Sequence, residues 1–515
     1  MKPSVRVGRF FDELEGRRGG PALIFEGKSY SFGDLDDLSR RYAGGLAAMG
    51  IQPGDRIAVL TDPCPEAVIA LLGHYRLGAL HVPVNTRYRA AEIAHILRDS
   101  GARAILTQAG SAADDEAARL PQTEPPRHRI VIDPSGASPP SGDVRFDRLL
   151  EWEPLRGARP RDADTAMLIY TSGTTGPSKG VALSFQAIFD NTLAVTNLWR
   201  FSSDDRVAIA LPLFHVHGLC LGVHGALLHG STMLLYEKFD ARRIVECFAR
   251  DGATVFQGVP TMYVRLLEEL ARSPEAGSML SGGRLFTAGS AALSAEDFAT
   301  FEAATGHRIL ERYGMSETLF TFSNLYEDRR PGTVGIPVPG CDARVVDDGG
   351  REAGEGEPGE LLVRSNGMMT GYWNRAAETS ASFRGGWFAT GDVVRRGPDS
   401  FLTVVGRKSI DFIKSGGFKI SSREIEDVLL RHEAVKEVAV IGVPDRVWGE
   451  RVVAAVVLNP GARAASEAEV LRDLSAFCSR FLADYKRPRE VRLCEELPRN
   501  AMGKVQKHEI RKSIG

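Results

Sequence analysis

The sequence has few cysteines, no excess of one charge and no long apolar run. Its six cysteines lie far apart without a C-x-x-C pair, so neither a disulfide framework nor a structural zinc site is predicted. No apolar run approaches the roughly 18 residues of a membrane span, and acidic residues precede any apolar stretch near the N-terminus, so no secretory signal is predicted. The 64 Lys and Arg residues nearly balance 66 Asp and Glu residues, which gives no basic field for nucleic acid or an anionic membrane. We therefore expect a cytoplasmic protein whose partners are small molecules, with an oligomeric state that the sequence leaves open.

The length and the apolar pattern predict an α/β fold of more than one domain. A chain of 515 residues, 43% apolar, is too long for one compact core. Apolar residues at helical spacing after Tyr30 predict a helix, with Ser31 or Asp34 as its cap, and "DRIAVLT" then predicts a strand. This helix-then-strand alternation recurs twice. The stretch between Gln108 and Val144, rich in Pro, Ser and Gly, is expected to be an irregular surface excursion. After about Gly406, shorter units predict a small α+β domain.

The segment "YTSGTTGPSKG", from Tyr170 to Gly180, predicts an anion site. An apolar strand delivers a glycine-rich turn whose backbone N–H groups and hydroxyls can converge on phosphate oxygens, with Lys179 as a nearby cation. The P-loop pattern G-x-x-x-x-G-K-[ST] fails, because Lys179 follows Ser178 and precedes Gly180. Taken alone, the segment is also compatible with a flexible polar loop.

This segment closely resembles the phosphate loop of the adenylate-forming enzymes, the superfamily of acyl-CoA synthetases, peptide-synthetase adenylation domains and firefly luciferase. Further blocks of that superfamily follow in its order: "TAGSAAL", "ERYGMSET", "WFATGD", "VVGRKSIDFIKSGGFKISSREIE" and "LPRNAMGK". The resemblance spans nearly the whole chain. It implies an α/β fold with a large N-terminal domain of layered sheets over residues 1–406 and a small mobile α+β lid domain over residues 407–515.

The resemblance also implies the reaction. A carboxylate would attack the α-phosphorus of ATP, and the acyl-adenylate would then pass to CoA, releasing AMP and pyrophosphate with Mg²⁺ as cofactor. Glu317 would be the catalytic Mg²⁺ ligand and Ser316 would bond the α-phosphate. The residues implied to hold ATP are Thr171, Ser172, Gly173, Thr174, Thr175, Gly176, Lys179, Gly289, Ser290, Ala291, Arg312, Tyr313, Gly314, Met315, Ser316, Asp392 and Arg407.

Residues near the C-terminus would serve the two half-reactions separately. In the superfamily, a lysine at the place of Lys504 reaches between the carboxylate and the α-phosphate during adenylation only. The lid domain then rotates near Lys408 and Ser409, where the spacing is one residue longer than usual and the hinge residue stays open. The pantetheine arm of CoA would enter past Lys414, Ser415, Gly416 and Gly417.

Among relatives, the sequence most resembles malonyl-CoA synthetases, notably in "FHVHGL" and "GVPTMYVRLLEE". The resemblance places the catalytic His215 near the reacting carboxylate. A second buried carboxylate would need a cationic partner, and the candidates are His217, Arg284 and Arg312, although Arg284 is equally compatible with a structural ion pair. The residues expected to line the acyl pocket are His217, Arg284, Gly258 and Met315.

Departures from the malonate pattern keep other substrates open. Phe320 and Phe322 can present an apolar wall, and Phe185 replaces a histidine that is usual in the relatives. An aryl or short-to-medium-chain acid is therefore an alternative. Loading of a carrier protein is another, but the chain shows no phosphopantetheine segment, so free CoA is the expected acceptor.

Overall fold

The computed structural model describes residues 7–120, 126–133, 142–157, 159–171, 177–273, 275–408, 411–415, 418–462, 466–500 and 503–514. The chain packs as two compact units, of which the second comprises Ala343–Val363 and Trp387–Gly515 and the first the remainder. The second unit thus begins before the predicted boundary between residues 406 and 407. That boundary stays a prediction for the mobile lid domain.

Helices and strands alternate through the first unit, as the sequence pattern predicts. The helices of the chain are α1 Val7–Gly16, α2 Phe32–Ala48, α3 Pro65–Leu77, α4 Ala90–Ser100, α5 Ala112–Ala118, α6 Phe146–Leu149, α7 Phe185–Leu198, a π-helix His217–His224, α8 Gly225–His229, α9 Ala241–Arg250, α10 Pro260–Arg272, α11 Ala276–Met279, a 3₁₀ turn Leu280–Gly282, α12 Ala295–Thr305, α13 Ala376–Ala381, α14 Ser422–Leu429, α15 Glu467–Cys478, a 3₁₀ turn Asp484–Lys486 and α16 Lys507–Ile514.

The strands are β1 Pro21–Phe25, β2 Lys28–Ser31, β3 Arg56–Leu60, β4 Leu80–Pro83, β5 Ala104–Gln108, β6 His128–Ile132, β7 Val144–Arg145, β8 Thr165–Thr171, β9 Lys179–Ser184, β10 Arg206–Ile209, β11 Thr232–Leu235, β12 Val255–Gly258, β13 Leu285–Ala288, β14 Ile309–Met315, β15 Leu319–Ser323, β16 Ile336–Pro337, β17 Cys341–Val346, β18 Pro358–Ser365, β19 Gly371–Tyr372, β20 Phe383–Arg384, β21 Trp387–Arg396, β22 Leu402–Arg407, β23 Phe412–Ser415, β24 Phe418–Ser421, β25 Val435–Asp445, β26 Gly449–Leu458 and β27 Glu490–Leu493.

Two sheets form the first unit, and their central strands are parallel. One sheet has the order β16-β15-β14-β13-β12-β10-β11-β1-β2, and the other has the order β19-β9-β8-β4-β3-β5-β6-β7. In the first of these, β10, β12, β13 and β14 run parallel side by side. Their carboxyl ends meet at one edge, where ligands bind in open α/β sheets.

The second unit contains an antiparallel sheet in the order β17-β18-β21 with β22 paired to β21, and a mixed sheet in the order β24-β23-β26-β25 with β27 paired to β26. Helices α14 and α15 bury Ile425, Val428 and Leu474 against one face of the mixed sheet. Helix α16 buries Ile510 against the other face. The mixed sheet is thus covered on both faces.

Most of the predicted elements are confirmed, but the prediction for one stretch is wrong. Ser31 caps α2, and Asp34 completes a capping box with it. The stretch from Gln108 to Val144, predicted to be irregular, contains helix α5 and strand β6. Strand β6 pairs in parallel with β5 and so extends the sheet. Within the described residues, no helix has both the length and the apolarity needed to cross a membrane.

Candidate active site

The strand pair β8 and β9 frames the predicted phosphate loop. Thr171, the last residue of β8, lies opposite Lys179, the first residue of β9. Lys179 forms an ion pair with Glu378, and its Nζ lies 5.3 Å from the centre of the Tyr372 ring. The residues that the sequence places at the tip of this loop, Ser172, Gly173, Thr174, Thr175 and Gly176, lie outside the described residues.

The turn between β14 and β15 carries Glu317. The side chain is buried, and its Oε1 accepts a hydrogen bond of 3.1 Å from the Tyr372 hydroxyl. A Cβ at Gly314 would stand 2.2 Å from the carbonyl oxygen of Leu319, so only glycine allows the two strands to approach here. Lys179 and Glu317 therefore contact the same tyrosine, which places the predicted phosphate-binding cation and the predicted metal ligand together.

The remaining residues of this hairpin lie at the same edge of the sheet. Ser316 is buried, and Met315 ends β14 half-buried. The Tyr313 ring meets Phe322 edge to face, with centroids 6.1 Å apart. The motif "ERYGMSET" thus forms a strand and a turn; contacts of these residues with ATP stay predictions.

Arg312 lies directly against the backbone at Gly289, just after β13. A Cβ on Gly289 would stand 2.6 Å from the guanidinium, so a larger residue there would displace it. The next residue, Ser290, has a positive φ of 69°, a backbone conformation that costs energy for any residue but glycine. Ala291 is exposed. Gly289, which is predicted to hold ATP, thus also forms one side of the Arg312 environment.

The Arg312 guanidinium is buried, and no carboxylate among the described residues pairs with its Nε or Nη2. Among the described residues, its Nε and Nη2 have no hydrogen-bond partner, and its Cζ lies 4.9 Å from the centre of the Phe320 ring. Burial lowers the pKa of Arg312 to about 9, so the group is still charged at neutral pH. A buried, charged and incompletely bonded guanidinium is costly unless an anion joins it.

Two histidines lie close enough to Arg312 to respond to its charge. His217 is fully buried, and neither ring nitrogen has a partner within the described part of the chain. Burial, with a contribution from Arg312, lowers the pKa of His215 to about 4 and that of His217 well below its ordinary value. The Nδ1 of His215 accepts from the His217 backbone N–H at 3.3 Å. Both imidazoles are therefore neutral at pH 7.

Arg284 has a different environment from Arg312. Its guanidinium donates to both oxygens of buried Asp205, at 2.7 and 2.6 Å, and to the carbonyl oxygens of Trp199 and Arg200. These bonds support the structural alternative for Arg284, so we leave it out of the acyl pocket. Gly258 ends β12 against the rings of Phe256 and Tyr263.

In the second unit, Asp392 and Arg407 lie opposite each other on β21 and β22. The Arg407 Nε is 3.5 Å from Asp392 Oδ1, and its Nη2 donates to the Thr390 carbonyl at 3.1 Å. The structure thus brings together two of the residues predicted to hold ATP. Lys408, near the predicted hinge, pairs with Glu360 and Asp348, both at 3.1 Å.

Lys504 stands in a short hairpin of the second unit. The Lys504 N–H donates to Asn500 Oδ1 and the Asn500 N–H to the Lys504 carbonyl, both at 2.9 Å. The Asn500 side chain thus caps the turn, and Lys504 itself is exposed.

The predicted CoA segment is described only in part. Lys414 is exposed and Ser415 is buried at the end of β23, while Gly416 and Gly417 fall outside the described residues. The predicted role of this segment in admitting pantetheine therefore stays untested.

Sequence reasoning missed the residues that organise these groups. Tyr372 bridges Lys179 and Glu317, and Glu378 pairs with Lys179, although both are about 200 positions from the phosphate loop. The Asn191 side chain donates to the Phe320 carbonyl and accepts from the Phe320 N–H, both at 2.9 Å. The only signal was the polar and aromatic run "GYWNRAAET", which is ordinary in composition.

The described residues contain no group of three or more His, Cys, Asp or Glu side chains placed to hold a metal. Mg²⁺ in nucleotide sites usually takes one or two carboxylates together with phosphate oxygens and water. A single buried Glu317 beside a lysine fits that donor set.

Comparison with known proteins shows the family. The model of the AMP-binding enzymes matches residues 10–373, and the model of their C-terminal domain matches residues 424–504. The malonate–CoA ligase of Arabidopsis thaliana is 34% identical over 96% of this chain and 86% of its own length. The indoleacetate–CoA ligase of Aromatoleum aromaticum is 34% identical over 96% of this chain and 95% of its own. The crystal structure of ATP-bound MatB from Rhodopseudomonas palustris has a TM-score of 0.89 at 34% identity and covers 99% of each chain.

The fold and the site define an adenylate-forming enzyme with a large α/β domain and a smaller C-terminal one. This chain belongs to the AMP-binding enzyme family, and its reaction class is that of the AMP-forming acid–CoA ligases. The superfamily, the fold class and the reaction predicted from the sequence are confirmed. ATP and CoA are substrates of this class.

Proposed function

We propose that this acid–CoA ligase activates a small dicarboxylic acid, malonate or methylmalonate, and transfers the acyl group to CoA. The observation that carries the proposal is the buried Arg312 guanidinium with two unsatisfied nitrogens. A carboxylate that accepts from Nε and Nη2 together would form the bidentate pair that arginine makes best. One carboxylate of the acid would bind there, leaving the other to react.

The neighbours of Arg312 support this assignment. His217, with both ring nitrogens unsatisfied, offers a neutral donor for a carboxylate. The Phe320 ring stacks against the guanidinium and restrains its orientation. Phe185 packs edge to face on Tyr75 in the core, so its replacement of a histidine does not bear on the charge around Arg312.

The other residues divide the work of adenylation. Lys179 would neutralise the β and γ phosphates, and Glu317 would hold Mg²⁺, which offsets the charge of the departing pyrophosphate. Asp392 and Arg407 would bind the ribose. His215, neutral at working pH, would orient the reacting carboxylate without adding a second cation. Lys504 would join the carboxylate and the α-phosphate during adenylation only.

A second candidate is an aryl or short-to-medium-chain acid. The indoleacetate–CoA ligase among the relatives supports it, as do the buried rings of Phe320 and Phe322 at the site. Against it stands the charge of Arg312, because an apolar acid would leave the buried guanidinium unpaired. Loading of a carrier protein in place of CoA stays an alternative, and a cytoplasmic location stays a prediction.

The test is AMP release with ATP, Mg²⁺ and CoA across malonate, methylmalonate, acetate, hexanoate and benzoate. We expect malonate or methylmalonate to give the highest kcat/KM, because only they supply the second carboxylate. If benzoate or hexanoate leads, the dicarboxylate assignment is wrong. Replacing CoA by a carrier protein bearing phosphopantetheine in the same assay distinguishes the two acceptors.

A further inference from the structure

A half-buried lysine, Lys507, lies among polar side chains in the second unit, apart from the residues assigned to substrates. Lys507 Nζ contacts Asp411 Oδ1 at 2.5 Å, Glu426 Oε1 at 2.8 Å and Ser422 Oγ at 2.8 Å. The Lys507 side chain is 13% exposed and that of Glu426 is 16% exposed. We call these four residues the Lys507 cluster. It fully occupies the three donors of a lysine ammonium.

Within the Lys507 cluster, Asp411 holds the segment that follows β22. The second carboxylate oxygen of Asp411 accepts from the Arg407 N–H at 2.9 Å, and the Asp411 N–H donates to the Arg407 carbonyl at 2.8 Å. The Asp411 carbonyl accepts from the Ser422 N–H at 2.8 Å. Asp411 is thus bonded through both its backbone and its side chain, next to the predicted hinge.

Glu426, another member of the cluster, joins α14 to the edge of the mixed sheet. Glu426 Oε1 also accepts from the Val440 N–H of β25, at 2.6 Å. Helix α14 packs on one face of this sheet and α16 on the opposite face. Lys507 therefore joins two helices that the sheet separates.

Lys507 begins α16 only three residues after Lys504. Lys504 lies in a short hairpin that leads into α16. In this hairpin Arg499 pairs with Val505, and the Gln506 N–H donates to the Pro498 carbonyl at 2.8 Å. Because Lys507 is the first residue of α16, its contacts therefore fix the position of the hairpin on the second unit. Burial raises the pKa of Asp411, but the charge of Lys507 overcomes it, with a smaller contribution from Lys504, and the pKa lies below its usual range.

We propose that Lys507 is a positioning residue that fixes the Lys504 hairpin to the 407–411 segment through Asp411, so that both move as one piece. The inference rests on the adenylation role proposed above for Lys504. Without the Lys507 anchor, the hairpin keeps its own turn but loses its fixed placement on the domain. A misplacement of about 1 Å in a reacting group is enough to slow a reaction about 100-fold.

The experiment measures the two half-reactions separately in full-length Lys507→Met, Lys504→Ala and the double variant. Adenylation is followed by ATP–pyrophosphate exchange, and thioester formation by supplying synthetic acyl-adenylate and CoA. We expect Lys507→Met to lower kcat for adenylation about 10- to 100-fold with unchanged KM for ATP and unchanged thioester formation. In the Lys504→Ala background, Lys507→Met should cause no further loss, because it acts through a residue that is already gone.

Lys512→Met is the matched control, because this lysine lies on the same helix with its side chain 71% exposed. It should leave both half-reactions unchanged. If Lys507→Met unfolds the protein, Glu426→Gln weakens the same cluster without removing the lysine and should show the same selective pattern. Equal losses in both half-reactions, or losses that multiply in the double variant, would overturn the proposal. If Lys504→Ala alone keeps full adenylation, the role of Lys504 is wrong, whatever Lys507 does.

Discussion

The Tyr372 hydroxyl donates to the Glu317 carboxylate at 3.1 Å while the Tyr372 ring lies below the Lys179 ammonium. One side chain from β19 therefore orients both an acidic and a basic group of the predicted triphosphate site. The hydrogen bond restrains the carboxylate of Glu317, the residue predicted to hold Mg²⁺.

Tyr372→Phe tests this orientation. Losing a hydrogen bond to a charged group costs about 1.5 kcal/mol, so we expect about a tenfold rise in the Mg²⁺ concentration for half-maximal pyrophosphate exchange. The matched control is Tyr170→Phe in strand β8 of the same sheet, which removes a hydroxyl bonded to Asp99 at 2.8 Å. It should lower thermal stability and leave the Mg²⁺ requirement unchanged. An unchanged requirement in Tyr372→Phe would contradict the role given to Glu317.

Arg312→Met tests the acid specificity. Removing one partner of a buried charge pair costs about 3 kcal/mol, so kcat/KM for malonate should fall about 100-fold or more. Acetate, which carries no second carboxylate, should change much less. The measurement is the ratio of the two kcat/KM values in the variant and in the unmodified enzyme. A parallel loss for both acids would show that Arg312 serves the nucleotide or the fold.

Arg284→Met should have the opposite profile. It leaves the Asp205 carboxylate, 3% exposed, without its guanidinium, and breaking a buried pair costs about 3 kcal/mol of unfolding free energy. Chemical denaturation should report that loss, while the ranking of acids stays as in the unmodified enzyme. A changed ranking with unchanged stability would return Arg284 to the acyl pocket.

Four buried histidines predict an acid-sensitive fold. Burial lowers the pKa of His74 and His224 to about 3 and those of His81 and His217 well below the ordinary 6.5. The unfolded chain takes up protons on these groups below pH 6.5 and the folded chain does not. Each one therefore removes about 1.4 kcal/mol of unfolding free energy per pH unit as the pH falls from 6.5.

The measurement is the unfolding free energy between pH 7 and pH 5, above the range in which carboxylates titrate. We expect it to fall steeply, and His224→Phe should reduce the proton uptake on unfolding by about one. A flat profile between pH 7 and pH 5 would show that these histidines are solvated.

Local sequence signals predicted those parts of the fold that depend on neighbouring residues. The Ser31 capping box, the alternation of α2 to β5 and the strand before the phosphate loop all follow from patterns within about twenty positions. The failure between Gln108 and Val144 has the same origin. Strand β6 is short, and its pairing with distant β5, not its composition, makes it a strand.

The candidate site was predicted in its residue types but not in its pairings. The motifs named Lys179, Glu317 and Arg312, yet nothing local to them shows that Tyr372 joins the first two. The sequence named both Arg284 and Arg312 as possible partners of a second carboxylate, but it placed only Arg284 in the acyl pocket. Only the position of Asp205 in space separates them.

The π-helix from His217 to His224 determines the directions in which its first and last side chains face. His217 is predicted to line the acyl pocket, and His224 lies in the core. Two residues seven positions apart on an α-helix are offset by only about 20° and share a face. The wider π turn breaks that register, so that His217 responds to Arg312 while His224 bonds Tyr75 at 3.1 Å. An ordinary α-helix over the same residues would turn both imidazoles toward one face, so His217 and His224 could not both keep their present neighbours.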